Sequence, residues 1–351
     1  MTKLNGLIDQ LYKTNYIIKE HLLDLLENID KSSRDYLIEK AQETRRRYYG
    51  TKVFLRGLVE FTNYCQRNCI YCGIRAANKN IERYRLSFNQ IMEACEQGYE
   101  LGYRTFVLQG GEDNCYTDER IVEVVTEIKR RFPDCAVTLS IGERAYDSYQ
   151  KYYEAGADRY LLRHETASKK LYDSLHPGMR YEDRIQCLHN LQRIGYQVGA
   201  GFMVGLPGQT NEDFVEDLEF LQELQPHMVG IGPFIPHRDT PLGKSAGGTV
   251  KQSVILLAII RLLLPQVLLP VTTALGTIDP LGREKGLKAG ANVVMPNLSP
   301  VEVRDKYALY DNKVCTGEEA AECRQCINGR IADAGFMTDM SRGDHILWER
   351  Q

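Results

Sequence analysis

From residue 53 onward the chain alternates short apolar runs with helical stretches eight times, and few folds accommodate that pattern. The runs 53–62, 105–110, 136–141, 159–164, 197–204, 228–234, 268–273 and 292–296 read as strands. Seven of them follow a helical stretch, such as 88–101 or 214–224. Strands separated by helices pair in parallel, because each helix carries the chain back along the sheet. Eight such units predict an α/β fold, a (β/α)8 barrel of the TIM type. Residues 51–298 form that barrel in this reading. Residues 1–50 are a helical extension, with apolar positions at helical spacing (Leu7 and Leu11, then Leu22, Leu25 and Leu26), and residues 299–351 are an irregular cap with cysteines of its own. The basic run 45–47 reads as a solvated helix face.

A barrel of this kind keeps its chemistry at the carboxyl ends of the strands. Polar and glycine-rich residues collect there: 65–72 after the first strand, 110–113 after the second, 163–166 after the fourth, 205–209 after the fifth, and Thr272 and Thr273 at the seventh. The first of these segments carries Cys65, Cys69 and Cys72 in the spacing C-x3-C-x2-C, with Tyr71 before the last cysteine. Three thiolates crowded into one loop can hold three irons of a 4Fe-4S cluster, and the absent fourth cysteine leaves one iron open to a ligand. The competing readings are a zinc site completed by a distant residue, or thiols that bind nothing. Arg163 and Glu165, two apart on a predicted strand, share a face, as a structural ion pair or as contacts to a zwitterionic cofactor, with Arg184 assisting.

Composition narrows the class. Ten cysteines without the apolar core and cleavage site of a signal peptide in the first fifty residues point to a reducing, cytoplasmic setting. A net charge of −3 gives no bias toward nucleic acid or an anionic membrane. The most apolar stretch, 253–270, is interrupted by Arg261 and Pro265 and reads as a buried helix and strand rather than a membrane span.

The cysteine spacing with its aromatic residue resembles the radical S-adenosylmethionine (SAM) signature. Gly110, Gly111 and Glu112 resemble that superfamily's GGE motif, which receives the amino group of the SAM methionine; alone they are a glycine turn. Val204 and Leu206, in VGLPG, offer apolar packing for the adenine or form a plain strand–helix turn. The runs YCGIRAANKNIERYR, VLQGGED, AGADRYLLRHETA, GAGFMVGLPGQT, MVGIGPFIPHRDTPL and GANVVMPN are similar, in order, to the HydE family of FeFe-hydrogenase maturases. That resemblance implies a radical SAM enzyme that cleaves SAM to a 5′-deoxyadenosyl radical during assembly of the hydrogenase H-cluster. It also implies a small iron complex bearing carbonyl, cyanide and cysteine as substrate, partner maturases and an electron donor. Thr138, Met228, Thr272, Thr273, Met295, Tyr307 and Tyr310 are candidates for the cavity wall, Thr138 toward the cofactor and the others toward the substrate, and each also reads as barrel core. In chains of this resemblance, Cys315, Cys323 and Cys326 hold a second cluster, often 2Fe-2S; with one ligand short of four, an empty or zinc-bound triad is the other reading. Sister enzymes give the rival functions: a methylornithine synthase-like mutase or biotin synthase-like sulfur insertion. A non-catalytic iron-precursor carrier is the remaining alternative.

Overall fold

Parallel pairing runs unbroken around a ring. The computed structural model describes residues 2–350. Its strands are β1 (Lys52–Leu55), β2 (Gly57–Thr62), β3 (Thr105–Gly110), β4 (Ala136–Ser140), β5 (Arg159–Leu161), β6 (Gln197–Ala200), β7 (Met203–Val204), β8 (Met228–Val229), β9 (Gly232–Pro233), β10 (Val293–Val294) and β11 (Met337–Asp339). The order β2-β3-β4-β5-β6-β8 continues through single bridges Met228↔Leu268 and Pro270↔Val293, and β10 pairs with β1 to close the circle. This is the expected eight-position barrel. A closed ring leaves no strand edge exposed.

Three predicted strands are each broken in two, and for two of them the reason is close packing. Gly201, between β6 and β7, has φ +144°, and a Cβ there would lie 2.0 Å from the carbonyl oxygen of Gly230, between β8 and β9. The two chains touch backbone to backbone, which interrupts regular pairing. The predicted run 268–273 contributes only bridges, because Thr273 already opens a helix, Thr273–Ile278. Strand β11 lies in the tail expected to be irregular; it pairs in parallel with β1, Lys52 opposite Met337.

Alternation within β2 illustrates how the core is built. Leu58, Glu60 and Thr62 share one face, and Val59 and Phe61, on the other, join the main hydrophobic core with Ile91, Ala94 and Cys95 of the helix Phe88–Glu100. That helix starts at Ser87, whose hydroxyl accepts from Gln90 N–H while the Gln90 side chain accepts from Ser87 N–H. Each large apolar side chain so buried contributes roughly 1.5–3 kcal/mol.

Helices Lys3–Thr14 and Lys31–Tyr49 pack outside the barrel and help cover Val250–Leu263, whose residues 253–263 are all buried, while Lys19–Asn28 packs against the helix Asn211–Leu224. Among the described residues no helix is long and apolar enough to cross a membrane. Arg45 departs from the solvated face expected of it: it is fully buried and donates to the carbonyls of Ala291, Gly50 and Lys52. At the amino ends of the strands, residues 342–345 plug the barrel. Arg159 Nη2 reaches Asp344 Oδ1 at 2.5 Å, Gln197 Nε2 reaches the same oxygen at 2.6 Å, and Thr105 Oγ1 donates to the Arg342 carbonyl.

Candidate active site

Above that plug, the carboxyl ends of the strands enclose a cavity of about 340 Å³. The loop after β2 brings Cys65, Cys69 and Cys72 to its wall, with Tyr71 beside them. Two glycines let this loop lie flat. A Cβ on Gly111 would sit 2.2 Å from the Tyr64 carbonyl oxygen and 2.7 Å from Cys65 Cβ, and one on Gly73 would sit 2.1 Å from the Ala308 carbonyl oxygen. Burial pushes all three thiols up, Cys69 to about 12. They stay protonated until a cation replaces the proton, which is how a metal-binding thiol behaves before its metal arrives. Tyr71 turns its hydroxyl toward His176, 3.0 Å from Nε2, while His176 Nδ1 faces the Tyr172 carbonyl at 2.9 Å.

A network of four charges lies next to the cysteine loop. Arg67 Nε donates to Glu112 Oε2 at 2.5 Å and Arg67 Nη2 to Glu143 Oε2 at 3.1 Å; Arg184 Nε donates to Glu143 Oε1 at 2.7 Å. Glu112 Oε1 accepts the Glu143 N–H at 3.0 Å, so both its oxygens are committed to protein donors. Arg184 Nη1 also caps the Arg163 carbonyl at 2.6 Å. Glu143 and Arg67 were not singled out in the sequence, although Arg67 sits inside the cysteine motif.

Glu165 lies past the end of β5 in the left-handed region, φ 68°. A non-glycine residue there costs roughly 1–2 kcal/mol. Two backbone hydrogen bonds hold it: Glu165 N–H to the Gly201 carbonyl and Met203 N–H to the Glu165 carbonyl, both 3.0 Å. Its Oε2 is 3.1 Å from Arg163 Nη2 without hydrogen-bond geometry, and is left as a buried, unsatisfied acceptor. The pair meets as expected, but through a turn rather than a shared strand face.

The opposite half of the cavity is built from β2, the 268–273 segment, β10 and the tail. Glu60 Oε1 accepts from Lys313 Nζ at 2.6 Å, and Oε2 from Asn297 Nδ2 at 2.8 Å. Glu60 stands as a lone charge in an otherwise apolar strand, a signal the sequence offered; Lys313 carried none. Thr272, Thr273, Met295, Tyr307 and Tyr310 line this half, and Thr272 Oγ1 is buried without a partner. Gly110, Gly111, Glu112, Arg163, Glu165 and Arg184 line the other.

Four candidates lie elsewhere. Thr138 points inward one layer too low: Ser140, two residues on, lines the cavity, while Thr138 is buried beneath it. Met228 is likewise below, its sulfur 2.9 Å from Arg56 Nη1, among Tyr49, Phe54 and Leu268. Val204 is outward-facing core, and its neighbour Met203 lines the cavity instead. Leu206 packs against Leu175, Phe234 and Met203, behind the wall. His237, a loop histidine, is buried with Gly73 against its ring.

Two of the three tail cysteines meet, and the third stands apart. Cys315 and Cys323 border a second space of about 20 Å³ that shares Glu60, Arg283 and Lys313 with the main cavity. Arg283 Nη2 lies 3.4 Å from Cys315 Sγ; the Cys323 thiol and this guanidinium hold Cys315 low. Cys326, one helical turn beyond Cys323, is exposed. Among the described residues no three His, Cys, Asp or Glu side chains converge on a single ion position. For Cys65, Cys69 and Cys72 that is no obstacle, since each thiolate of a cluster binds a different iron.

The radical SAM superfamily model matches residues 59–221. The [FeFe] hydrogenase maturase subunit HydE of Thermotoga maritima is 47% identical over 309 residues, 88% of each chain. The chain belongs to the HydE family. Among solved structures, methylornithine synthase superposes with a TM-score of 0.84 at 27% identity, covering 95% of this chain and 97% of the other. HydG, a maturase of the [FeFe]-hydrogenase, superposes with a TM-score of 0.80 at 20% identity, covering 96% of this chain and 76% of the other, a likeness of fold alone. As a HydE-family member the chain is a radical SAM enzyme, which uses a 4Fe-4S cluster and SAM. The residues fit both groups: three thiols and no fourth at one end of the cavity, and a buried acceptor on Glu165 that no protein donor satisfies.

Proposed function

We propose that Cys65, Cys69 and Cys72 hold the 4Fe-4S cluster, and that the enzyme acts in assembly of the FeFe-hydrogenase H-cluster on a small iron- and cysteine-containing complex. The observation that carries this reading is one cavity lined by the three thiols and also by Glu60, Lys313, Arg163, Glu165 and Thr272. Held by these three thiolates, the cluster would supply the one-electron reduction that cleaves bound SAM to methionine and a 5′-deoxyadenosyl radical. This chain's residues bind and orient. With the Glu112 carboxylate committed to Arg67 and Glu143 N–H, the main-chain carbonyls of Gly110 and Gly111 are left for the SAM amino group. Glu165 and Arg163 take the zwitterion and ribose side, with Arg184 behind them. Tyr71, fixed by His176, offers its ring to the adenine together with Met203, in place of Val204 and Leu206.

The substrate sits in the far half, among Thr272, Thr273, Met295, Tyr307 and Tyr310, and partner maturases deliver it while a separate donor supplies electrons. A biotin synthase-like reaction needs further thiols inside the barrel, and among the described residues Cys65, Cys69 and Cys72 are the cysteines that line the cavity. Cys315, Cys323 and Cys326 hold at most an accessory cluster, since Cys326 must move inward to join the other two. Ten free cysteines suit a reducing, cytoplasmic setting. The test is anaerobic reconstitution, with 5′-deoxyadenosine quantified in wild type and in Cys65→Ala, Cys69→Ala and Cys72→Ala. Cleavage at the normal rate in any variant refutes the assignment. Failure of the wild type to restore hydrogenase activity in cells lacking their own HydE refutes the maturation role.

A further inference from the structure

The turn that carries Glu165 is clamped from behind by a buried carboxylate. Asp217, on the helix Asn211–Leu224, is fully buried, and its Oδ1 accepts the Ala167 N–H at 2.6 Å. The same oxygen lies 3.2 Å from His164 Nε2. On the other side of the ring, His164 Nδ1 accepts the Gly201 N–H at 3.3 Å, which places the imidazole proton on Nε2, aimed at Asp217. The ring is also held by Phe220, centroids 4.7 Å apart, and by Phe202 at 5.9 Å.

Residues 164 and 167 are thus fastened to one oxygen, while Glu165 between them is fastened to Gly201 and Met203. Neither His164 nor Asp217 touches the cavity. We infer that Asp217 is a positioning residue for SAM, acting through His164 and Ala167 to keep Glu165 in its left-handed conformation with Oε2 turned to the ligand. This rests on the reading that Glu165 contacts SAM. An apolar contact would serve the core equally well at this depth; what it would not supply is one acceptor for two donors that flank a strained residue. Burial pushes His164 down to about 3 and raises Asp217, so the clamp works as a hydrogen bond between groups held near neutrality and not as an exposed ion pair.

The acceptor, and not the charge, makes the clamp, because Asp217 Oδ2 has no partner. Asp217→Asn keeps an oxygen for both donors; Asp217→Leu removes it. The experiment measures the SAM dissociation constant of the reconstituted protein, from the cluster's electron paramagnetic resonance signal, in wild type, Asp217→Asn, Asp217→Leu, Glu165→Gln and the double variant Glu165→Gln/Asp217→Leu. Asp217→Leu should weaken SAM binding about tenfold or more, and Asp217→Asn no more than about threefold, with iron content unchanged in both. In the Glu165→Gln background the Asp217→Leu penalty should largely vanish, since a residue acting through Glu165 has little left to act on. An undiminished penalty there, an unchanged constant in Asp217→Leu, or equal losses in Asn and Leu would overturn the inference. An unchanged constant in Glu165→Gln alone would instead sink the reading of Glu165. If Asp217→Leu does not yield folded protein, His164→Phe keeps the ring packing, removes both ring hydrogen bonds and carries the same expectation and the same double variant.

Discussion

Glu143 joins the two arginines beside the cysteine loop, and replacing it by glutamine puts that network to the test. The carboxylate accepts from Arg184 at 2.7 Å and from Arg67 at 3.1 Å, and its side chain is 11% exposed against 8% for Arg184. Arg67, Arg184, Glu112 and Glu143 balance as two positive and two negative charges. Neutralising Glu143 leaves one uncompensated cation in a dry wall. Removing one partner of a buried pair costs about 3–5 kcal/mol. Glutamine retains one acceptor, Arg67 keeps Glu112 and Arg184 keeps the Arg163 carbonyl, so the loss should be nearer 2–3 kcal/mol, on the order of one to two charge-assisted hydrogen bonds. With an unfolding entropy of about 2.1 cal/mol/K per residue, the 351 residues give ~0.7 kcal/mol per degree, and Tm should fall by ~3–4 °C. Glu182→Gln is the control. Its partner Lys169 lies 2.5 Å away, but both side chains are half exposed, so water screens the pair and Tm should stay close to that of the wild type. Differential scanning calorimetry of the apo-protein reads both, and SAM affinity should drop in Glu143→Gln alone. Equal shifts in the two variants would refute the buried-network argument.

Gly111→Ala should abolish stable cluster assembly, because the new Cβ meets the Tyr64 carbonyl and Cys65 Cβ; full iron content in the purified variant would contradict this. Replacing Cys315, Cys323 and Cys326 together by alanine should leave SAM cleavage within a few-fold of wild type, and loss of cleavage with the first cluster intact would favour an auxiliary cluster in the reaction. His345 is depressed to about 4, by burial and then by His227, whereas the unfolded side chain titrates near 6.5. A depressed folded value means its stability contribution is complete above 6.5 and is lost as pH falls toward about 4. His345→Phe should therefore flatten the dependence of Tm on pH across that window, and an unaltered slope would count against it.

The barrel was legible because its strands are apolar runs of barrel-strand length, and the cysteine motif because all three thiols fall within eight residues. Depth was not. Alternation tells which residues face inward, but the height of each depends on register with neighbouring strands: Thr138 lies opposite Arg159 and Met228 opposite Gly199, one layer below the cavity. Val204 and Met203 differ by one position, which in a strand means opposite faces, and nothing local decides between them. Arg45 looks like surface until Ala291 and Lys52 supply its acceptors from elsewhere in the chain. Glu143 and Lys313 lie in irregular segments, where no periodicity points a side chain anywhere, and Arg283 lies in a helix of seven residues, Gly282–Lys288, too short for its period to pick out a face.

Strand β1 finds its partner β11 across 285 residues, from Lys52 to Met337, and the plug at 342–345 that caps Arg159 and Gln197 follows β11 in the chain. During synthesis the floor of the barrel therefore stays open until residues 337–345 have left the ribosome. Until then Arg159 and Gln197 lack Asp344, and the lower edge of β1 presents unpaired backbone groups that invite association with other chains. Completion of the fold is thus a late, long-range event, and yield of soluble enzyme should depend on translation rate and chaperone supply more than the stability of the finished barrel suggests.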